Sequence, residues 1–242
     1  MCANYVPVTS AERLLQFFGV VRGIDEPTRE VFPSGLAPFI RLAPDGTDSG
    51  ELVRTVADGI FRFVPDFVAK VEWARNTFNA RTETVDTKFT YKKAWAEGHR
   101  CIIPSEAIYE PKYGESGQSV RWRIRKANGE PMGIAGVYRR YSSPDPCGKE
   151  MFGFSMLTVN ADDHPFMAQF HAPGAEKRMV VILEPADFHQ WLTCPVAEAK
   201  ERYCKLWPGE LVGEPAPLPK RPKKSPPVPP QKPADPTGDL FA

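Results

Sequence analysis

Apolar and polar positions alternate with a period of two over several short stretches of this chain, and turn-forming residues bound each stretch. On this pattern Cys101 to Ile108, Ser119 to Lys126, Gly133 to Tyr141, Phe152 to Val159 and Arg178 to Leu183 read as strands, and Asn128-Gly129 predicts a tight turn. Helical periodicity appears in two places. Leu14, Leu15, Phe17 and Phe18 follow Thr9-x-x-Glu12, which has the spacing of a capping box, and Thr87 to Glu97 reads as a second helix ended by Gly98. Many short strands with few helices predict an α+β fold: a single domain with a barrel-like, mainly antiparallel β-sheet core flanked by a few helices.

The pattern fades at the C-terminal end, where proline dominates from Pro208 onward. Such a composition buries too little apolar surface to fold, so the expected boundary lies at residue 212, with 213–242 a disordered Pro-rich tail. Residues 1–212 suit one domain with its own core. The 242-residue chain is 42% hydrophobic and 25% charged, the balance of a soluble protein. Its net charge of +1 supplies no global nucleic-acid footprint, so any such surface must come from local clustering. The five cysteines are scattered, with no metal-ligand spacing, which predicts a reducing compartment, no metal and no cofactor. No secretion signal or spanning segment is evident, so a cytoplasmic monomer is expected, with no membrane partner.

Candidate chemistry starts at Cys2. Removal of Met1 would give this residue a free α-amine beside its thiol. The amine has an ordinary pKa of roughly 7.7 to 8.0, leaving a nucleophilic fraction near neutrality. An amine next to a thiol condenses with an aldehyde as a Schiff base and then closes to a five-membered thiazolidine.

Further along stand Asn79-Ala80-Arg81-Thr82-Glu83-Thr84, Cys101-Ile102-Ile103-Pro104 leading to Tyr109-Glu110, and His171 ahead of Arg178-Met179. With Met1-Cys2, these motifs resemble in order and type the SRAP (SOS response-associated peptidase) family, over Met1 to about Leu192. The resemblance implies a sensor of abasic sites in single-stranded DNA that forms a reversible covalent DNA–protein cross-link through Cys2, associated with the nucleoid during repair. It also implies possible lyase activity and thiol-dependent removal of Met1. Asn79 would position the amine and the opened sugar, and Arg81 would contact a flanking phosphate. Glu110 would move protons during Schiff-base formation, and His171 would protonate the sugar ring oxygen or assist reversal. His and a buried Glu are readily tuned to such tasks near neutral pH.

Some positions differ from the family pattern. Met-Cys-Gly-Arg-Phe is here Met1-Cys2-Ala3-Asn4-Tyr5, so Asn4 would offer DNA a hydrogen bond in place of a charge. Phe61-Arg62 replaces a Trp-Gly pair; Phe61 would stack on a base and Arg62 would supply the charge missing at Asn4. Pro111 follows Glu110 where a Trp is usual, and His164 precedes His171 by seven residues as a rival.

Arg121, Arg123 and Arg125 alternate with Trp122 and Ile124, which fits either a DNA-backbone contact or a solvated sheet face. In the tail, Asp239-Leu240-Phe241 resembles the short peptides that grip a bacterial sliding clamp. Two rival functions fit the same residues: a cysteine peptidase using the Cys2 thiolate, and a noncovalent single-stranded-DNA-binding module.

Overall fold

The computed structural model describes residues 2–44, 50–65, 74, 76–142 and 150–219. The basic and clamp-like segments of the tail lie outside these residues, as do Met1 and Cys147.

In chain order the strands are β1 (Tyr5–Pro7), β2 (Leu36–Pro44), β3 (Leu52–Ile60), β4 (Asn79–Arg81), β5 (Arg100–Tyr113), β6 (Ser119–Lys126), β7 (Met132–Ser142), β8 (Glu150–Asn160), β9 (Arg178–Val180), β10 (Ile182–Leu183) and β11 (Leu211–Pro215). The helices are α1 (Ala11–Phe18), α2 (Lys92–Ala96), α3 (Phe188–Thr193) and α4 (Val196–Tyr203). Strands β5, β7, β8, β3 and β2 pair in a ring. Two of its seams, β3–β8 and β2–β5, are single residue pairs, so the ring is a mixed sheet curled on itself, short of a regular barrel. Within the ring β3–β8 is parallel and the other pairings are antiparallel. Buried side chains, among them Phe39, Phe61, Ile102, Ile103 and Phe154, make one core.

Close strand approach at one point requires glycine. A Cβ on Gly136 would lie 2.4 Å from Ile103 Cδ1 and 2.6 Å from the Ser155 carbonyl. Gly136→Ala should therefore destabilise the fold by about 1–3 kcal/mol, read as a lowered denaturant midpoint at unchanged slope.

The structure departs from the sequence pattern at several places. Helix α1 is capped by Ser10, whose hydroxyl accepts from the Arg13 amide at 3.3 Å, and not by Thr9, which is buried. Of the second expected helix only Lys92–Ala96 is helical; residues 82–91 form successive turns, and Tyr91 is drawn off to bond Asn79. The expected strand Arg178–Leu183 is two strands: the chain passes from β8 to β7 at Val181, whose amide bonds the Leu157 carbonyl and whose carbonyl accepts from Ala135. The expected boundary at 212 falls inside β11, which pairs with β6 from Leu211 to Pro215. Proline there is tolerated because β11 is an edge strand.

Candidate active site around Cys2

Cys2 lies just ahead of β1, which pairs with the far half of β5. This pairing, extended by the bond from the Tyr109 amide to the Asn4 carbonyl, runs the N-terminal segment beside Tyr109 and Glu110. Asn79, the first residue of β4, reaches across and donates from Nδ2 to the Cys2 carbonyl at 2.7 Å. Its own carbonyl accepts from the Tyr91 hydroxyl at 3.1 Å. Asn79 Oδ1 is buried, and no donor among the described residues reaches it.

Glu110 is buried, and His171 Nδ1 stands 3.5 Å from its Oε2. His171 Nε2 lies 2.9 Å from the Arg178 carbonyl. A carbonyl only accepts, so Nε2 must carry the hydrogen, and in the neutral ring Nδ1 presents a lone pair to Glu110. His171 holds a left-handed backbone, φ 64°, which is uncommon for a residue with a Cβ and is fixed here by its amide donating to the Pro111 carbonyl at 2.7 Å.

Burial sets the electrostatics. It pushes the Glu110 carboxyl up to about 7 and lowers His171, with Lys177 and Arg178 adding to the fall. Near pH 7 His171 is therefore mostly neutral and Glu110 about half protonated, the proton held on a carboxylic acid facing an imidazole lone pair. Burial, then the charge of Glu110, pushes the Cys2 thiol up to about 12. The thiol is accordingly protonated, and Sγ lies 3.4 Å from the Asn4 carbonyl as a weak donor.

Of the sequence candidates, Cys2, Asn79, Glu110 and His171 come together here. His164 does not join them. Its Nε2 bonds the Trp207 carbonyl at 3.1 Å and its Nδ1 accepts from the Phe166 and Met167 amides, so both ring nitrogens are spent on backbone. Arg81 is half exposed and pairs with Glu176 at 2.8 Å. Asn4 is buried and donates to Glu30 Oε2 at 3.1 Å, so its amide is turned to a carboxylate. Phe61 is fully buried against Tyr5, Phe78 and Phe154, which corrects the expectation that it stacks on a base. Arg62 is half buried, with its charge near Tyr141 on β7.

Two side chains missed in the sequence hold the site together. Arg178 is 2% exposed and grips both oxygens of Glu83 at 2.9 Å, Glu176 at 2.7 Å and the Thr158 carbonyl at 2.6 Å. That explains the Glu of the Asn-Ala-Arg-Thr-Glu motif as an anchor. Glu30 joins Asn4 to Arg121, which also lies over the Tyr109 ring at 3.4 Å. Only the spacing of one motif hinted at the first. Nothing local signalled the second. Arg123 likewise pairs with Glu214 at 3.5 Å, so two of the three strand-face arginines are matched by carboxylates.

The architecture has solved counterparts. A crystal structure of a Bordetella bronchiseptica protein matches 90% of this chain and all of its own, at 34% identity and a TM-score of 0.77. A Bacteroides thetaiotaomicron protein at 20% identity and a TM-score of 0.67, covering 88% of this chain and 90% of its own, shares the fold. The model of the SOS response associated peptidase family, SRAP, matches residues 1–211, and the chain belongs to that family. Among curated relatives is the abasic site processing protein YoaM of Bacillus subtilis (strain 168), 23% identical over 198 residues, or 79% of each chain.

Proposed function

We propose that this protein captures the aldehyde of an abasic site in single-stranded DNA as a reversible covalent adduct on Cys2, once Met1 has been removed. The observation that carries this reading is the buried Glu110, pushed up to about 7 beside Cys2 and His171. A group with that pKa both gives and takes a proton near neutral pH. The name of the Bacillus subtilis relative points to the same lesion.

The steps balance without redox chemistry. Ring opening exposes the aldehyde: the Glu110–His171 pair gives a proton to the ring oxygen and takes back the C1 hydroxyl proton as the C=O bond forms, so Glu110 is protonated again. The neutral α-amine of Cys2 adds to the carbonyl carbon, and Asn79 Oδ1, a buried acceptor, suits an N–H of that amine. Protonated Glu110 then donates to the departing hydroxyl, which leaves as water and yields an iminium ion. Glu110, now a carboxylate, takes the thiol proton as sulfur attacks the iminium carbon and closes the thiazolidine. Reversal runs the same proton transfers backwards. Arg81 would exchange Glu176 for a backbone phosphate.

A thiolate-first peptidase fits the electrostatics less well, because burial and Glu110 oppose thiolate formation at Cys2. The test is incubation with single-stranded DNA carrying one abasic site, resolved on a denaturing gel. Wild type should give a heat-stable shifted band, and Cys2→Ala and protein retaining Met1 should give none. A wild type without the band sinks the proposal; a band that survives Cys2→Ala moves the nucleophile elsewhere.

A further inference from the structure

Residue 211 ends the family match, yet the chain continues as part of the site. Strand β11 adds to the edge of β6, and the backbone is then pinned at Ala216, whose amide donates to the Arg121 carbonyl at 2.8 Å. Arg121 donates in return from its guanidinium to the Ala216 carbonyl at 3.0 Å. Pro217 and Leu218 follow and wall a cavity of about 460 Å3 shared with Tyr109, Glu110, Val120 and Arg121. Glu110 lines this cavity together with Ala3 and Asn4, the two residues after Cys2, so the cavity lies beside the Cys2 cluster.

Its lining has an unusual combination of surfaces. Leu218 is 53% and Val120 44% exposed, so apolar side chains are held open to solvent. The same cavity is lined by Arg121, whose guanidinium lies over the Tyr109 ring at 3.4 Å with its charge matched by Glu30. The lining thus combines a flat, charge-compensated stack with the apolar Val120, Pro217 and Leu218. That suits a planar group with apolar faces and polar edges. In single-stranded DNA this group is a base, and bases stack on guanidinium planes and on apolar side chains.

We propose that Pro217 and Leu218, with Val120 and the Arg121–Tyr109 stack, take the nucleobase next to the abasic sugar. The inference rests on the proposed abasic-site chemistry, and its test separates the two. Full-length wild type and Leu218→Ala are titrated with two single-stranded DNAs: one has adenines on both sides of the abasic site, the other has tetrahydrofuran residues there, which lack bases. Leu218 is half exposed, so the substitution leaves the core intact. Wild type should half-saturate about fivefold more readily on the base-flanked DNA. Leu218→Ala should lose about fivefold on that DNA and nothing on the other, with equal cross-linking rates at saturation. Equal losses on both DNAs, or none on the base-flanked one, overturn the base pocket while leaving the Cys2 chemistry standing. A wild type that cross-links neither DNA overturns both.

Discussion

Glu110→Gln should slow cross-linking at pH 7 by about 10²- to 10³-fold, the share that a positioned proton carrier supplies, while leaving DNA binding nearly unchanged. Gln keeps the shape but neither gives a proton to the departing hydroxyl nor takes one from the thiol. The pH profile provides a second signature. In wild type the rate should rise as the Cys2 amine loses its proton near roughly 7.7 to 8.0, and fall as Glu110 ionises at about 7. The two limbs make a narrow bell, and Glu110→Gln should keep the rising limb and lose the falling one. Stability should move the other way. A carboxyl whose pKa is raised in the folded state stabilises the fold fully below its unfolded value, near 4.5, and loses that contribution as pH rises through about 7. The variant should therefore be more stable than wild type above pH 7, with the advantage vanishing in acid. A rate within threefold of wild type, with an unchanged bell, would remove Glu110 from the proton path.

The sequence carried part of this picture. Strands β5 to β8 were legible because short apolar or β-branched stretches around Ile102, Ile124, Ile134 and Phe154 are bounded by recognisable turns. The β2–β3 pair was not, since Pro38 and Pro44 interrupt the pattern on which a strand is recognised. β11 was hidden by the proline composition around Leu211 and Val212. At the site, Cys2, Asn79, Glu110 and His171 were found from their motifs, while their mutual contacts arise from the β1–β5 and β4–β8 pairings, which only the fold supplies. Phe61 shows the limit most clearly. An aromatic beside an arginine reads the same whether it faces solvent or core, and the ring of strands turns it inward against Phe154. His164 and His171 are alike in sequence; what separates them is that backbone takes both nitrogens of one and leaves Nδ1 of the other to Glu110.

Arg178→Ala should be the most damaging single change to the scaffold beneath the site. The guanidinium is buried and ties three segments: Glu83 of the Asn79 motif, Glu176 of the loop after His171, and Thr158 of β8. Breaking a buried pair costs about 3–5 kcal/mol. Glu83 and Glu176 are part-exposed and can be hydrated when released, so the loss belongs at the lower end, about 3 kcal/mol. For a domain of this size that lowers Tm by on the order of 6–12 °C. The deficit should depend on pH with a defined sign. Against the upward pull of burial, Arg178 holds the Glu83 carboxyl below its usual range, so the pair's contribution is present above about 4.5 and lost as pH falls further. Wild type and variant should therefore converge in acid. Arg178→Lys keeps the charge but not the fork that spans both Glu83 oxygens, and should recover less than half of the loss. Cross-linking should fall as well, because a residue-178 segment released from Glu83 and Thr158 no longer holds its backbone carbonyl, which the substitution retains, against His171 Nε2. A Tm within 2 °C of wild type at pH 7 would show that the cluster stands without its central cation.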